Sequence, residues 1–66
     1  MQVLVTPPDR QGQTWRIEVD DAGRVRVYRA AGRTVWGVPL RAVRDVHDLG
    51  RWLVERGIDP DQLLRG

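Results

Sequence analysis

Few residues in this chain could carry covalent or acid–base chemistry. There is one His, His47, and neither Cys nor Ser is present to act as a nucleophile beside it. A general base needs an orienting partner within hydrogen-bond reach. Asp45, Asp48 and Arg51 are near in sequence, but the same spacing suits a solvated first helical turn with His47 on its outer side. Asp20-Asp21 falls in a turn, where carboxylates bond the local backbone. Asp59-Pro60-Asp61 lacks the further oxygen ligands and spacing of a calcium loop and reads as a helix cap. Without Cys there is no disulfide and no thiolate site for a metal. These absences predict a protein that is not an enzyme and holds no cofactor or metal.

A second set of residues has chemistry suited to binding. Arg16, Arg24, Arg26, Tyr28 and Trp36 alternate with apolar residues in three short runs. Trp, Tyr and Arg are the types enriched at binding hot spots. Basic side chains interleaved with aromatics also suit a sheet that contacts nucleic acid. Whether these five residues form one surface depends on the elements that carry them and on their register.

The carriers read as strands. Trp15-Arg16-Ile17-Glu18-Val19, Arg24-Val25-Arg26-Val27-Tyr28 and Thr34-Val35-Trp36 alternate with period two and are rich in β-branched and aromatic residues. Asp21-Ala22-Gly23 and Ala30-Ala31-Gly32 separate them as three-residue loops ending in Gly, the pattern of a type I turn followed by a left-handed residue. Two such turns predict the register. Val19 faces Val25, Glu18 faces Arg26, Ile17 faces Val27 and Arg16 faces Tyr28. On the other hairpin, Tyr28 faces Thr34, Val27 faces Val35 and Arg26 faces Trp36. One face then carries Trp15, Ile17, Val19, Val25, Val27 and Val35 as a core layer. The other carries Arg16, Glu18, Arg24, Arg26, Tyr28 and Trp36.

The flanks complete an α+β domain. Gln2 to Thr6 reads as a further strand stopped by Pro7-Pro8, pairing at an edge of the meander or with another molecule. Asp9 to Gln13 reads as a mobile polar loop. Leu40 to Arg44 is either an extended lead-in or an extra helical turn. Asp45 is the expected N-cap of a helix, with Asp48 three residues on in a capping-box position. Val46, Leu49, Trp52 and Leu53 form its apolar stripe, and Gly50 would permit close approach to the sheet. Gly57 should end the helix in a left-handed cap, with Ile58 folded back on Leu53. Asp59, Pro60 and Gln62 then predict a short terminal helix from Pro60 to about Arg65. The expected architecture is a three- to four-stranded antiparallel meander, packed on one face by a C-terminal helix plus that short terminal one.

With 66 residues the chain is one small domain, residues 1–66, with a modest core and marginal stability. All eleven basic side chains are Arg, which with the abundant Val, Ala, Gly and Asp suits a small protein of a GC-rich bacterial genome. A net charge of +2 does not by itself argue for nucleic acid. No apolar run could span a membrane, and the default is a cytoplasmic protein. The expected function is a non-enzymatic protein-interaction module, self-associating or binding a protein partner through its aromatic and arginine sheet face or its edge strand. The alternative is a nucleic-acid-binding domain that uses the same basic face.

Overall fold

The computed structural model describes residues 1–32 and 34–66. It is an α+β fold: a five-stranded antiparallel sheet with one helix packed on one face. The strands are β1 (Gln2–Val5), β2 (Thr14–Val19), β3 (Val25–Ala31), β4 (Thr34–Val35) and β5 (Leu64–Arg65), in the spatial order β4-β3-β2-β1-β5. The helix α1 spans Val46–Arg56, and a single 3₁₀ turn covers Pro60–Gln62.

The first hairpin has the register its sequence predicts. Arg16 pairs with Tyr28, Ile17 with Val27, Glu18 with Arg26 and Val19 with Val25. Gly23 sits at φ +82°, and the Asp20 carboxylate accepts the backbone N–H groups of Ala22 and Arg24, both at 2.9 Å. Asp20 thus fastens the turn that its carboxylate was expected to suit.

The second hairpin departs from expectation. β3 continues through Ala31, which pairs with Thr34, and Ala30 pairs with Val35. Only two residues therefore separate the paired ends, and Gly32 at φ +60° occupies the first of them. Two-residue hairpin loops favour Gly in this conformation because their twist matches that of the strands. The resemblance between Ala22-Gly23-Arg24 and residues 31–33 is misleading, since the two Gly residues serve loops of different length; Arg33 lies outside the described residues. The register is displaced by three from the predicted one, and an odd displacement exchanges the faces of a strand. Val35 is consequently not beneath the helix beside Val27; it stands opposite Ala30 and is exposed.

After β4 the chain continues along the edge of β3, antiparallel to it. The Trp36 N–H donates to the Arg29 carbonyl, Leu40 N–H to Val27, and Val25 N–H to Arg44, all at 2.9 Å. Residues 40–44 lead into α1 outside the helix: Leu40 and the Val43-Arg44 pair lie along β3, with a turn at Arg41-Ala42 between them. They bring Val43 into the core, where it is buried with Trp15, Ile17, Val25, Val27, Leu49, Trp52, Leu53 and Ile58.

Both ends of α1 follow their sequence signals. The Asp45 carboxylate accepts the Asp48 N–H at 2.8 Å, while Asp48 reaches back to the Arg44 N–H at 3.2 Å, one residue earlier than a capping box requires. Gly57 is left-handed at φ +75°. Its N–H donates to Val54, and that of Ile58 donates to Leu53, the two bonds of a Schellman ending. Two details of the helix face differ. Val46 is 58% exposed and lies off the buried stripe of Leu49, Trp52 and Leu53. A Cβ on Gly50 would meet nothing within 4 Å, so Gly50 is not a point of close approach to the sheet.

The C-terminal segment differs more. Asp59 caps Asp61 as predicted, but the helix lasts one 3₁₀ turn, after which Leu64 pairs with Val5 and Arg65 with Leu4. Leu63 packs against the core and the Gly66 N–H donates to Val3. Local capping signals lose here to a ladder that satisfies the far side of β1. For that reason β1 is not the free edge that its position at the start of the chain suggested.

Candidate functional site

The five residues proposed from sequence divide between two surfaces. On the sheet face away from α1, Arg16, Glu18, Arg26 and Tyr28 lie together across β2 and β3. The Arg16 guanidinium turns along its own strand to Glu18, with Nε 3.0 Å from Oε2. Glu18 is thereby satisfied by Arg16 and not by Arg26 across the ladder. Arg24, at the start of the second run, bridges to Asp45 and shares a shallow depression with Val25, Arg26 and Arg44. The apolar margins of this face come from Val3, Val5 and Leu64 on one side and Val35 on the other. The contribution of Leu64 was hidden in the expected terminal helix.

Trp36 is not on that face. Its hydrogen bond to Arg29 puts it beside the half of β3 that overlies Trp15. Trp15, Arg29, Trp36, Gly37, Val38 and Leu40 line an open recess of about 450 Å³. Trp36 is 56% exposed and Val38 is 79% exposed. Trp and Val at such exposure present apolar area that folding leaves in water, and adjacent exposed apolar residues of this kind mark interaction surfaces more than isolated ones do. The Arg29 guanidinium lies 6.0 Å from the centroid of the Trp15 ring, at the long limit of a cation–π contact. Arg29 makes no ion pair among the described residues.

A third cluster was not predicted at all. The loop between β1 and β2 is organised by Asp9, whose side chain is 1% exposed. Its Oδ1 accepts the N–H groups of Gln11 and Gln13 at 2.9 Å, and its Oδ2 accepts the Trp15 indole N–H at 3.1 Å. Thr6, also buried, accepts the Trp15 backbone N–H at 3.0 Å. The Arg56 guanidinium lies 3.8 Å from Asp9 and stacks over both Trp15, at 5.0 Å, and Trp52, at 5.5 Å. The two indoles meet edge to face with centroids 5.0 Å apart. Burial pushes the Asp9 carboxyl up. The Trp15 indole, the Gln13 and Gln11 N–H groups and the Arg56 charge outweigh it and hold the carboxyl below its ordinary value of 3.8. The loop is thus a hydrogen-bonded plug, not the mobile segment its polarity implied. A readable signal was present: Asp followed by Gly three residues on, as in a turn whose first side chain bonds the backbone ahead of it.

His47 is exposed in the first turn of α1. Among the described residues, no three of His, Cys, Asp or Glu come together as metal ligands would, and no helix is long and apolar enough to cross a membrane. No family model matches the chain, no curated protein matches it, and no solved structure matches its fold.

The charge on the chain is unevenly distributed. Residues 22–44 contain six Arg (24, 26, 29, 33, 41 and 44) and no Asp or Glu. The other 43 residues hold five Arg against nine Asp and Glu, a net −4. The basic stretch comprises β3, β4 and the segment that leads to α1, although the whole chain is nearly neutral.

Proposed function

We propose that this domain is a non-enzymatic protein-interaction module and that the recess around Trp36 is where it docks. One observation carries the reading: Trp36 and Val38 are exposed side by side over a floor formed by Trp15 and Leu40. A small domain has little apolar area to spare from its core. Leaving a Trp outside it favours a partner that covers the ring, and buried Trp anchors dominate many interfaces. Affinity capture with the wild-type chain and with Trp36→Ala as baits tests this. A protein retained by the wild type and lost by the folded variant is the expected result, and sedimentation of the same pair reads self-association. Equal capture and equal sedimentation by both would overturn it.

A second reading uses the sheet face with Arg16, Arg24, Arg26 and Tyr28 for nucleic acid. The depression shared by Arg24, Arg26 and Arg44 favours it. Glu18, in the middle of the face, opposes it. Phosphate-dominated binding must weaken steeply with salt. Anisotropy titration of labelled duplex and single-stranded DNA at two salt concentrations decides whether such binding exists.

A further inference from the structure

We infer that the occupant of the Trp36 recess is an acidic segment of a partner protein with an apolar anchor side chain. This rests on the docking function proposed above and names the chemistry of the partner. The apolar requirement comes from the lining. Apart from Arg29 at one wall, the side chains of Trp15, Trp36, Val38 and Leu40 offer only the indole N–H groups, and that of Trp15 is already given to Asp9. A side chain entering the recess must therefore be apolar to avoid stranding a polar group.

The acidic requirement comes from the rim. Arg29 forms one wall, is exposed, and has no carboxylate partner among the described residues. Arg56, the other guanidinium near Trp15, is different: Asp9 answers its charge. No acid lines the recess, so a carboxylate that pairs with Arg29 there is one the partner brings. Charge complementarity of this kind steers association and rejects basic partners. Arg29 would pair with phosphate as well as with carboxylate, so it is the apolar lining of Val38 and Leu40 that favours a peptide anchor over a nucleotide. A base could stack on Trp36 alone.

The test uses the 66-residue chain labelled with ¹⁵N and three probes at equal low salt. The first is a twelve-residue peptide with Leu and Trp anchors among Glu and Asp. The second is the same peptide with Gln and Asn replacing the acids. The third is a twelve-nucleotide oligothymidylate. The acidic peptide should shift the amides of Arg29 and of residues 36–41 together with the Trp36 indole. The neutral peptide should bind at least tenfold more weakly. Trp36→Ala should lose at least tenfold, and Arg29→Gln about threefold, while both variants keep the wild-type spectrum elsewhere. If the neutral peptide binds within twofold of the acidic one, the acidic partner is wrong and the docking site stands. If neither peptide moves the recess, or the oligonucleotide alone does, the docking site falls as well.

Discussion

Two arginines lie near the Trp15 ring, and they have opposite fates. On one flank Arg56 lies over Trp15 and Trp52, and the buried Asp9 carboxylate faces its guanidinium. On the other flank Arg29 lies at a longer distance, Trp36 stands half in water, and no carboxylate closes the group. Both flanks use the same residue types. What separates them is one buried acid and the loop it organises. Arginine next to tryptophan is therefore not a binding signature in itself. It becomes a candidate when the charge and the ring are left without an internal partner.

Among substitutions outside the apolar core, Asp9→Ala should have the largest effect. It strands the Trp15 indole N–H and the N–H groups of Gln11 and Gln13, and removes the counter-charge of Arg56. Leaving the buried indole N–H and two part-buried backbone N–H groups without an acceptor costs on the order of 3 kcal/mol in sum. For a domain this small that is a large share of the total. Urea denaturation should show the loss, and unchanged stability would mean that the loop holds without its carboxylate. The linkage has a definite sign. The folded carboxyl lies below its ordinary value of 3.8, so its contribution is complete above that pH and is lost as pH falls through the folded value. Asp9→Asn should flatten this acid limb of the melting temperature; an identical acid limb in the variant would assign it to other carboxylates.

The contrast between flanks also shows which parts of the fold can be read in the sequence. Period-two alternation and Gly23 suffice for the first hairpin, because the hydrophobic face and the turn agree. Asp45 and Gly57 mark the ends of α1, because caps are local chemistry. The second hairpin was misread because Gly32 serves loops of two or three residues, and the Ala-rich stretch beside it carries no alternation to choose between them. That error moved Trp36 from one surface to another and divided the site. β5 was invisible because Leu64 pairs with β1 across nearly the whole chain, while its neighbours carry good helix-start signals. Asp9 was overlooked because a buried carboxylate in a polar loop looks like a solvated one until its donors are placed. The acid-free arginine stretch of residues 22–44 is a property of the sequence alone.

Removing each arginine in turn sharpens the comparison. Arg56→Ala should cost about 1–2 kcal/mol, since it uncovers two indoles and leaves Asp9 short of a cation. Arg29→Ala should cost well under that, near the value for an ordinary exposed side chain. Thermal melts of the pair at neutral pH measure the difference. Equal losses would show that Arg29 is as much a structural lid as Arg56, and the open flank would lose its claim to be a site.

Gly57→Ala probes the closed flank from the helix end. At φ +75° any side chain is strained, and a Cβ there would stand 2.6 Å from the Arg10 Nε. Arg10 is exposed and can swing aside, so the backbone term dominates, at around 1 kcal/mol. Gly50→Ala is the internal control. Its Cβ meets open space inside α1, so it should stabilise by about 0.5–1 kcal/mol through helix propensity alone. A loss at Gly50 would mean that the helix packs more tightly at that point than the structure has it.

The smallest effect on stability is expected at Trp36. Truncating a core Trp costs about 3–5 kcal/mol, and Trp15 should behave that way. Trp36→Ala should cost under about 0.5 kcal/mol, because the ring is already more than half in water and its backbone N–H still reaches Arg29. A near-silent Trp is the signature of a residue whose apolar area is not used by the fold. Denaturation measured by circular dichroism decides it, since fluorescence would be confounded by the change in Trp number. A loss approaching that of a core Trp would show that the recess closes in solution, with Trp36 folded down onto Trp15 and Leu40. The ring would then be structural, both flanks of Trp15 would be sealed, and no open site would remain there for a partner.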